Sequence, residues 1–409
     1  MKRFPEPLPR LLAPVVAHAL RTFPVVVVTG ARQTGKTTLV GAAAVARGRA
    51  YRSLDEYDVL DRATTRPEQL VAEAPRMTFD EVQRAPMLLS AIKREVDRDR
   101  APGRYLLTGS ANLLVMRRVS ETLAGRAVYL NLWPMTASER GGRGGSAPWG
   151  RLLAAKNVDD ALSAVGEPRP LADWPARAAV GGYPALLSLA DADDRARWLD
   201  AYVRTYLERD LLDVASVSSL ADFRRLMKLA ALRIGQVVNQ AELARDAGLS
   251  HATAHRYLNV LETSFQIVRL TAFGSNRTKR VVKSPKLYWS DTGLAAFLAG
   301  DDPDRGAYLE NLVLADLLAW RETIAPRPEL HFWRKHDGAE VDFIVESNRR
   351  LLPVEVKASR RIRSGELKGL ETFLDEHPRQ APLAVVLYGG NDVVRWSDRI
   401  LLVPSGIIG

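Results

Sequence analysis

The stretch that decides the fold is VVVVTGARQTGKTTL, residues 25–39. Its four consecutive valines form a short β-branched run, which is typical of a buried strand. The pattern G-x-x-x-x-G-K-T follows, with Gly30, Gly35, Lys36 and Thr37 at its fixed positions. Helical spacing begins at the lysine. A strand, a glycine-containing loop and a helix in this order predict a P-loop, whose backbone N–H groups surround phosphate.

The residue types of this loop suit a nucleoside triphosphate. Glycines let the backbone approach the phosphates, the Lys36 ammonium meets the β/γ charge, and the Thr37 hydroxyl reaches Mg²⁺. We therefore predict that the chain binds ATP and Mg²⁺. The predicted nucleotide-binding residues are Gly30, Ala31, Arg32, Gln33, Thr34, Gly35, Lys36, Thr37 and Thr38.

Acidic residues follow at the end of a second β-like run, where RMTF leads into Asp80 and Glu81. We predict that Asp80 supports Mg²⁺ and that Glu81 activates the water that attacks the γ-phosphate. The run YLLTGS, residues 105–110, ends in polar side chains. Ser110, or alternatively Thr108, is predicted to contact the γ-phosphate. This combination favours hydrolysis over binding alone.

Composition limits the class of protein. The 409 residues are 46% hydrophobic and 26% charged, which is typical of a globular chain of two to four domains. No apolar run approaches the roughly 20 residues of a membrane helix, which predicts no membrane association. Prolines at positions 5, 7, 9 and 14 interrupt any apolar core of a signal peptide, so we predict a cytoplasmic protein. With no cysteine and six histidines, any metal is expected to be bound by oxygen. The net charge of +10 favours polyanionic partners.

Short strand-like and helical segments alternate through the first 140 residues, which predicts an α/β fold with a mainly parallel sheet. The segment ERGGRGGSAPWG, residues 139–150, is rich in glycine and predicts a linker or a disordered loop. Residues 192–214 then place aromatic and apolar residues at helical spacing, which predicts a long amphipathic helix.

Residues 238–263 predict two helices joined by a turn, with Ser250 as the cap of the second helix. Two β-like runs follow, in the order of a winged helix-turn-helix. Residues 269–286 contain six Lys/Arg and no acidic residue. We predict DNA as the partner, and the alternatives are a solvated loop, a lid or a protein-docking surface. The DNA-contact candidates are His251, Thr253, His255 and Arg256 on the helix and Arg277, Lys279, Arg280 and Lys283 on the wing.

A last pattern comprises Asp342 in one β-like run, Glu355 and Lys357 in the next, and Glu310 on the preceding helix. Carboxylates that converge on Mg²⁺, with a lysine near the attacking water, suit phosphodiester hydrolysis. This pattern resembles the PD-(D/E)xK nuclease core. We predict that the three carboxylates share one cation and that Lys357 lies on the same strand face as Glu355. The alternative is a salt bridge of Lys357 with no metal.

The segments VVVVTGARQTGKTTL, FDEVQRAPMLLSAIK, GRYLLTGSANLL, KLYWSDTGLAAFLAG and GAEVDFIV together resemble prokaryotic AAA-type ATPases that carry a C-terminal domain of unknown function. The resemblance covers nearly the whole chain except the glycine-rich insert. It implies four parts: an AAA-type P-loop core at 1–140, a glycine-rich linker and helical lid at 141–235, a winged helix-turn-helix at 236–300, and a nuclease-like α/β domain at 301–409.

The same resemblance implies an arginine that stabilises the developing phosphate charge, often across a subunit boundary. Arg126 in LAGRA is the first candidate, followed by Arg117 and Arg118. Arg204 or Arg209 is the candidate phosphate sensor of the lid. A finger that acts in trans would require oligomerisation.

These patterns predict an ATP-hydrolysing AAA-type protein that acts on nucleic acid through its winged helix and nuclease-like domain. The alternative function is an ATP-driven switch that docks a protein partner and keeps an inactive nuclease fold as a scaffold. A small-molecule P-loop kinase is disfavoured by the Asp80-Glu81 pair and by the long C-terminal half.

Overall fold

The computed structural model describes residues 8–110, 123–166, 171–205, 219–274, 284–300 and 306–409. The chain divides into two compact units, and neither is one continuous stretch. The first unit comprises Met1–Met135, Tyr183–Leu220 and Leu258–Gln266. The second unit comprises Thr136–Gly182, Ala221–Tyr257 and Ile267–Gly409.

The first unit contains a five-stranded sheet in which every adjacent pair of strands is parallel. Its strands are β1 (Val25–Gly30), β2 (Ala50–Ser53), β3 (Met77–Asp80), β4 (Tyr105–Ser110) and β5 (Ala127–Asn131). Their spatial order is β2-β3-β4-β1-β5. The predicted parallel sheet is confirmed. The sequence interpretation missed β2, because half-exposed AYRS has no apolar run.

The central strand β1 contributes to a core on each face of this sheet. Val25 and Val27 lie in one apolar cluster, and Val26 and Val28 lie in the other. This division follows from the alternation of side chains along a strand and explains the unbroken apolar run. The helices of this unit are Ala13–Ala19, Lys36–Gly41, Ala43–Ala46, Tyr57–Thr65, Pro67–Val71, Pro86–Arg98, Pro184–Leu187 and Ala192–Tyr202.

One helix prediction differs from the structure, and a second is described only in part. The helix expected after the P-loop is interrupted at Ala42, whose ψ of 139° is extended. The helix expected over residues 192–214 is described from Ala192 to Tyr202, and residues 206–218 lie outside the described part of the chain.

The second unit contains a nine-stranded mixed sheet. Its strands are β6 (Gln236–Val237), β7 (Ile267–Ala272), β8 (Lys286–Trp289), β9 (Glu329–Arg334), β10 (Glu340–Ser347), β11 (Arg350–Lys357), β12 (Ala384–Tyr388), β13 (Val394–Arg395) and β14 (Ile400–Pro404). Their order is β13-β14-β12-β11-β10-β9-β7-β8-β6. Strand β10 is antiparallel to both of its neighbours, β9 and β11. Strand β12 is parallel to both of its neighbours, β11 and β14.

Helices of the second unit lie between these strands and before them. They are Ala137–Arg140, Trp149–Ala154, Val158–Val165, Trp174–Val180, Leu220–Leu232, Gln240–Asp246, Thr292–Ala299, Gly306–Arg321 and Lys368–Glu376. The helix His251–Thr263 passes from the second unit into the first. The glycine-rich segment has no regular secondary structure at residues 141–146, but its end is fixed by the buried Trp149.

Residues 236–289 follow the order strand, helix, helix, strand and strand. The strands β7 and β6 both pair with β8 in antiparallel fashion. Ser250 caps the second helix as predicted, because its Oγ accepts a hydrogen bond of 3.2 Å from the backbone N–H of Thr253. Among the described residues, no helix combines the length and the apolar character needed to cross a membrane.

Candidate nucleotide site and carboxylate cluster

The P-loop connects the buried end of β1 to the helix that begins at Lys36, and two of its glycines are required by geometry. Gly30 has a φ of 147°, and a Cβ at this position would lie 2.2 Å from the carbonyl oxygen of Leu132. Gly35 has a φ of 90° and is the left-handed residue that precedes the helix. Only glycine adopts both conformations without strain.

The Lys36 side chain folds back over the loop. Its Nζ donates hydrogen bonds to the carbonyl oxygens of Gly30 (3.1 Å) and Ala31 (2.8 Å), and only 5% of the residue is exposed. Burial lowers the pKa of Lys36 to about 8, although the nearby carboxylates of Glu81 and Asp80 oppose this shift. The ammonium is therefore held where a P-loop brings phosphate charge.

The apex of the loop is anchored by an arginine that the sequence patterns did not indicate. Arg10 donates from Nη1 to the carbonyl oxygen of Thr34 and from Nη2 to that of Trp133, both at 2.7 Å. The Thr34 hydroxyl donates to the Ala31 carbonyl oxygen at 2.9 Å. The other predicted loop residues, Arg32, Gln33, Thr37 and Thr38, are exposed.

Asp80 lies at the carboxyl end of β3, beside the P-loop helix. Its Oδ2 accepts hydrogen bonds from the hydroxyls of Thr37 (2.8 Å) and Tyr51 (2.7 Å). Its Oδ1 accepts one from the hydroxyl of Thr108. A carboxylate beside the hydroxyl of a P-loop threonine is an oxygen-only ligand set that fits Mg²⁺. Thr37 and Asp80 are thus placed together as the metal prediction requires.

Thr108 links both acidic residues. The backbone N–H of Glu81 donates to Thr108 Oγ1 at 3.2 Å, while the same hydroxyl donates to Asp80. Glu81 itself has a left-handed backbone with φ 60°, and its Oε2 accepts a hydrogen bond from Gln83. The side chain of Ser110, the first choice for the γ-phosphate contact, lies outside the described residues.

Two of the arginine candidates form salt bridges within the chain. Arg126 pairs with Asp97 through Nε–Oδ1 (2.6 Å) and Nη2–Oδ2 (2.9 Å), and the exposed Arg204 pairs with Asp200 at 2.9 Å. Neither salt bridge shows that the arginine stabilises the developing phosphate charge or acts as the phosphate sensor of the lid. Arg117, Arg118 and Arg209 lie outside the described residues.

The C-terminal pattern forms a buried cluster in the second unit. Strands β10 and β11 pair with Phe343 opposite Val354, which places Asp342 beside Glu355 at the end of the ladder. The Asp342 N–H donates to Glu355 Oε2 at 3.4 Å, and Asp342 Oδ2 accepts from the Val356 N–H at 3.0 Å.

Lys357 lies on the same face of β11 as Glu355, as the period of a strand requires. Its Nζ is 2.7 Å from Glu355 Oε1, which is the salt bridge anticipated as the alternative to a metal. Burial raises the pKa of Glu355, and so does the carboxylate of Asp342.

Lys286 lies in this cluster, although the sequence interpretation did not select it. Its Nζ is 2.8 Å from Glu340 Oε1, 2.9 Å from Asp342 Oδ1 and 3.3 Å from Glu310 Oε2. Tyr288 donates its hydroxyl to the same Glu310 oxygen at 3.0 Å. The sequence feature that could have identified Lys286 is its position at the start of the apolar run KLYW, since charged residues are rare in buried strands.

The donor atoms of this cluster do not form a set of metal ligands. Within the described ranges, one group of three His, Asp or Glu side chains has its ligand atoms all within 4.8 Å of one another. It comprises Glu329, His331 and Glu346 and lies outside this cluster. The geometry therefore places Glu310 and Asp342 around the Lys286 ammonium and pairs Glu355 with Lys357, and it does not fit one cation shared by the three carboxylates.

Only part of the predicted DNA-contact set can be located. His251, His255 and Arg256 are exposed on the helix His251–Thr263, and Thr253 is partly buried. The Nδ1 of His255 lies 2.9 Å from Oε1 of Gln240. The wing candidates Arg277, Lys279, Arg280 and Lys283 fall outside the described residues.

Comparison with known proteins agrees with the P-loop geometry. Residues 22–140 match the AAA domain family. Residues 171–305 match one domain of unknown function (DUF8612), and residues 305–408 match a second (DUF4143). The chain is therefore a protein with an AAA-type P-loop domain.

Two curated relatives extend over almost the full chain. They are Uncharacterized protein Mb2031c of Mycobacterium bovis and Uncharacterized protein Rv2008c of Mycobacterium tuberculosis. Each is 33% identical over 405 residues, which covers 95% of this chain and 81% of the relative. The chain belongs to the family of these two mycobacterial proteins.

Solved structures resemble the chain more distantly. The Walker-type ATPase PABY2304 of Pyrococcus abyssi is 14% identical, with a TM-score of 0.45, and the match covers 70% of this chain and 94% of that one. A RuvB variant of Thermotoga maritima is 17% identical, with a TM-score of 0.29, over 63% of this chain and 88% of that one.

Proposed function

We propose that the chain binds ATP with Mg²⁺ and hydrolyses it at the carboxyl edge of the parallel sheet. The observation that carries this proposal is the hydrogen-bonded series from Thr37 through Asp80 and Thr108 to Glu81. This series joins the P-loop helix to β3 and β4. The groups needed for phosphate, metal and water therefore lie together.

Each residue has a distinct role in this proposal. Lys36 and the loop N–H groups bind the phosphates, and Thr37 and Asp80 hold Mg²⁺, which supplies charge neutralisation at the β/γ-phosphates. Glu81 accepts the proton of the attacking water. Thr108 positions both acidic residues through its two hydrogen bonds.

Comparison of two variants tests the ATPase proposal. We expect Lys36→Ala to lose nucleotide binding, because the phosphate charge loses its cation. Glu81→Gln should keep binding and lose turnover by about 10²–10⁴-fold, since general base catalysis contributes that much. Nucleotide affinity and phosphate release measure the two effects. Turnover of Glu81→Gln equal to that of the parent protein would exclude Glu81 as the base.

We further propose that the chain acts on nucleic acid through a winged helix-turn-helix and a nuclease-like domain. Support comes from the order of helices and strands over residues 236–289, from the exposed His255 and Arg256, and from the basic wing residues Arg277, Lys279, Arg280 and Lys283. Cations on a recognition helix and on a wing suit phosphate and groove contacts.

Neutralisation of the wing tests the nucleic-acid proposal. Replacement of Arg277, Lys279 and Arg280 by glutamine should weaken duplex DNA binding for all sequences alike. The slope of the logarithm of the binding constant against the logarithm of the salt concentration should flatten by about one unit for each phosphate that the wing no longer neutralises. Arg66→Gln is a control, because this exposed arginine of the first unit lies outside the proposed interface and has no proposed role in nucleotide binding. Titrations at two salt concentrations decide the outcome, and unchanged affinity would contradict DNA binding by the wing.

A second candidate function is an ATP-driven switch that docks a protein partner, with the nuclease-like fold as an inactive scaffold. The ammonium of Lys286 among Glu310, Glu340 and Asp342 favours it, because this arrangement does not fit a cleavage metal. ATP turnover with and without DNA, beside a nuclease assay in Mg²⁺ or Mn²⁺, distinguishes the two. DNA-stimulated turnover favours action on nucleic acid, whereas no response to DNA favours the switch.

A further inference from the structure

The ammonium of Lys286 lies at the centre of a group of acidic side chains from neighbouring elements. Glu310 belongs to the helix Gly306–Arg321, and Glu340 and Asp342 belong to β10. Each carboxylate has an oxygen within 3.3 Å of Lys286 Nζ. Only 5% of the lysine side chain is exposed. An ammonium buried to this extent requires such partners, because desolvation of an unpaired charge is costly.

The backbone of Lys286 is fixed on both sides. It pairs with Val237 on one neighbouring strand and with Leu270 on the other. Tyr288, two residues further along the same strand face, donates its hydroxyl to Glu310. The ammonium therefore leaves the carboxylates by rotation of its own side chain, since β8 pairs with a strand on each side at this residue.

A divalent cation and this ammonium compete for the same oxygens. Mg²⁺ binds oxygen ligands at about 2.1 Å, and Ca²⁺ does so at about 2.3–2.6 Å. An ion bound by Glu310 Oε2 and Asp342 Oδ1 would occupy the space of Nζ, which contacts both oxygens. A divalent ion and the Lys286 ammonium that contact the same oxygens would repel each other strongly in a buried site.

We propose that Lys286 is the resident cation of this cluster and excludes divalent metal from it. The cluster is then a self-neutralised polar core, and a divalent ion enters only when the lysine side chain is displaced or removed. This inference is independent of ATP hydrolysis and of DNA binding, because its readout is metal binding to the nucleotide-free protein.

Replacement of Lys286 by methionine tests the proposal, because methionine keeps most of the length of the side chain and removes its charge. Mn²⁺ is titrated into nucleotide-free full-length protein by calorimetry and by electron paramagnetic resonance. We expect Lys286→Met to bind one Mn²⁺ at least about tenfold more tightly than the parent protein, a difference of about 1.4 kcal/mol. The gain should disappear in Lys286→Met combined with Asp342→Asn.

Two controls assign the signal. Lys286→Arg keeps a cation among the carboxylates and should gain no site. Glu346→Gln, added to Lys286→Met, removes a ligand from the group Glu329, His331 and Glu346 and should leave the new site intact. Both controls are compared with the parent protein in the same titration.

If Lys286→Met fails to fold, comparison of the parent protein with Asp342→Asn decides the question. Mn²⁺ bound by the parent protein and lost in Asp342→Asn would overturn the proposal, and the lack of such a site would support it. A folded Lys286→Met protein that gains no Mn²⁺ would overturn it as well.

Discussion

The hydroxyl of Thr37 lies 2.8 Å from Oδ2 of Asp80, although 43 residues separate them in the chain. The first residue lies on the P-loop helix and the second ends β3, which is separated from β1 by β4 in the sheet. In a parallel sheet the carboxyl ends of all strands lie at one edge, and for this reason they can assemble a site from distant residues.

Thr108 should be needed for hydrolysis through its position between Asp80 and Glu81. Thr108→Val keeps the shape of the side chain but removes the hydroxyl that bonds to both residues. We expect ATP turnover to fall by about 10–100-fold, as for other residues that orient metal ligands. Thr108→Ser restores the hydroxyl and should recover most of the activity. A valine variant with unchanged kcat would contradict this role.

Nucleotide affinity should depend on pH through Lys36. Burial lowers the pKa of this lysine to about 8, and phosphate binds its protonated form. The dissociation constant for ATP should therefore be flat well below pH 8 and rise as the pH passes 8. Equilibrium binding between about pH 7 and pH 9.5 measures the effect, with Lys36→Arg as the control, because a guanidinium does not titrate in this range. A parent protein whose affinity stays constant across the range would disprove the linkage.

Arg126 is predicted to act in trans if the chain assembles into oligomers. Its salt bridge with Asp97 would have to open for this role. Mixtures of Arg126→Ala and Lys36→Ala chains should then recover turnover that neither variant shows alone, because one chain supplies the P-loop and the other the arginine. The measurement is phosphate release against the mixing ratio. Strictly monomeric protein by light scattering with ATP bound would rule the prediction out.

Folding stability should depend on pH through Asp316. This carboxyl is buried and accepts a hydrogen bond of 2.6 Å from Trp149 Nε1, and burial raises its pKa to about 7 from the ordinary value of 3.8. The folded state therefore holds a proton that the unfolded chain releases, so the contribution of Asp316 to stability is greatest at low pH and is lost between about pH 4 and pH 7. The loss amounts to up to about 4 kcal/mol.

Asp316→Asn removes this titration and retains an oxygen for Trp149. The variant should therefore gain stability relative to the parent protein at about pH 8 and lose that advantage at about pH 4.5. Urea unfolding monitored at both pH values measures the difference. A difference between variant and parent that is the same at both pH values would show that Asp316 does not titrate in the folded state.

The P-loop and the strands of the first sheet were predictable because their signals are local. The loop pattern needs eight consecutive positions, and the four valines of β1 are buried on both faces, so their sequence is apolar without alternation. Asp80 and Glu81 were predictable because a buried strand that ends in acidic residues places them at the edge that carries the P-loop. The half-exposed β2 gave no such signal.

The sequence by itself determined the residues of the P-loop, since a P-loop is formed by neighbours in the chain. Only the tertiary structure decided what surrounds the more distant charges. Arg10 reaches the loop carbonyl of Thr34 from 24 residues away, and Lys286 reaches Asp342 from 56 residues away. No periodic pattern encodes such pairs. They form because folding removes water from each charge, and the cost of desolvation is met only by a partner that the packing brings within hydrogen-bond distance.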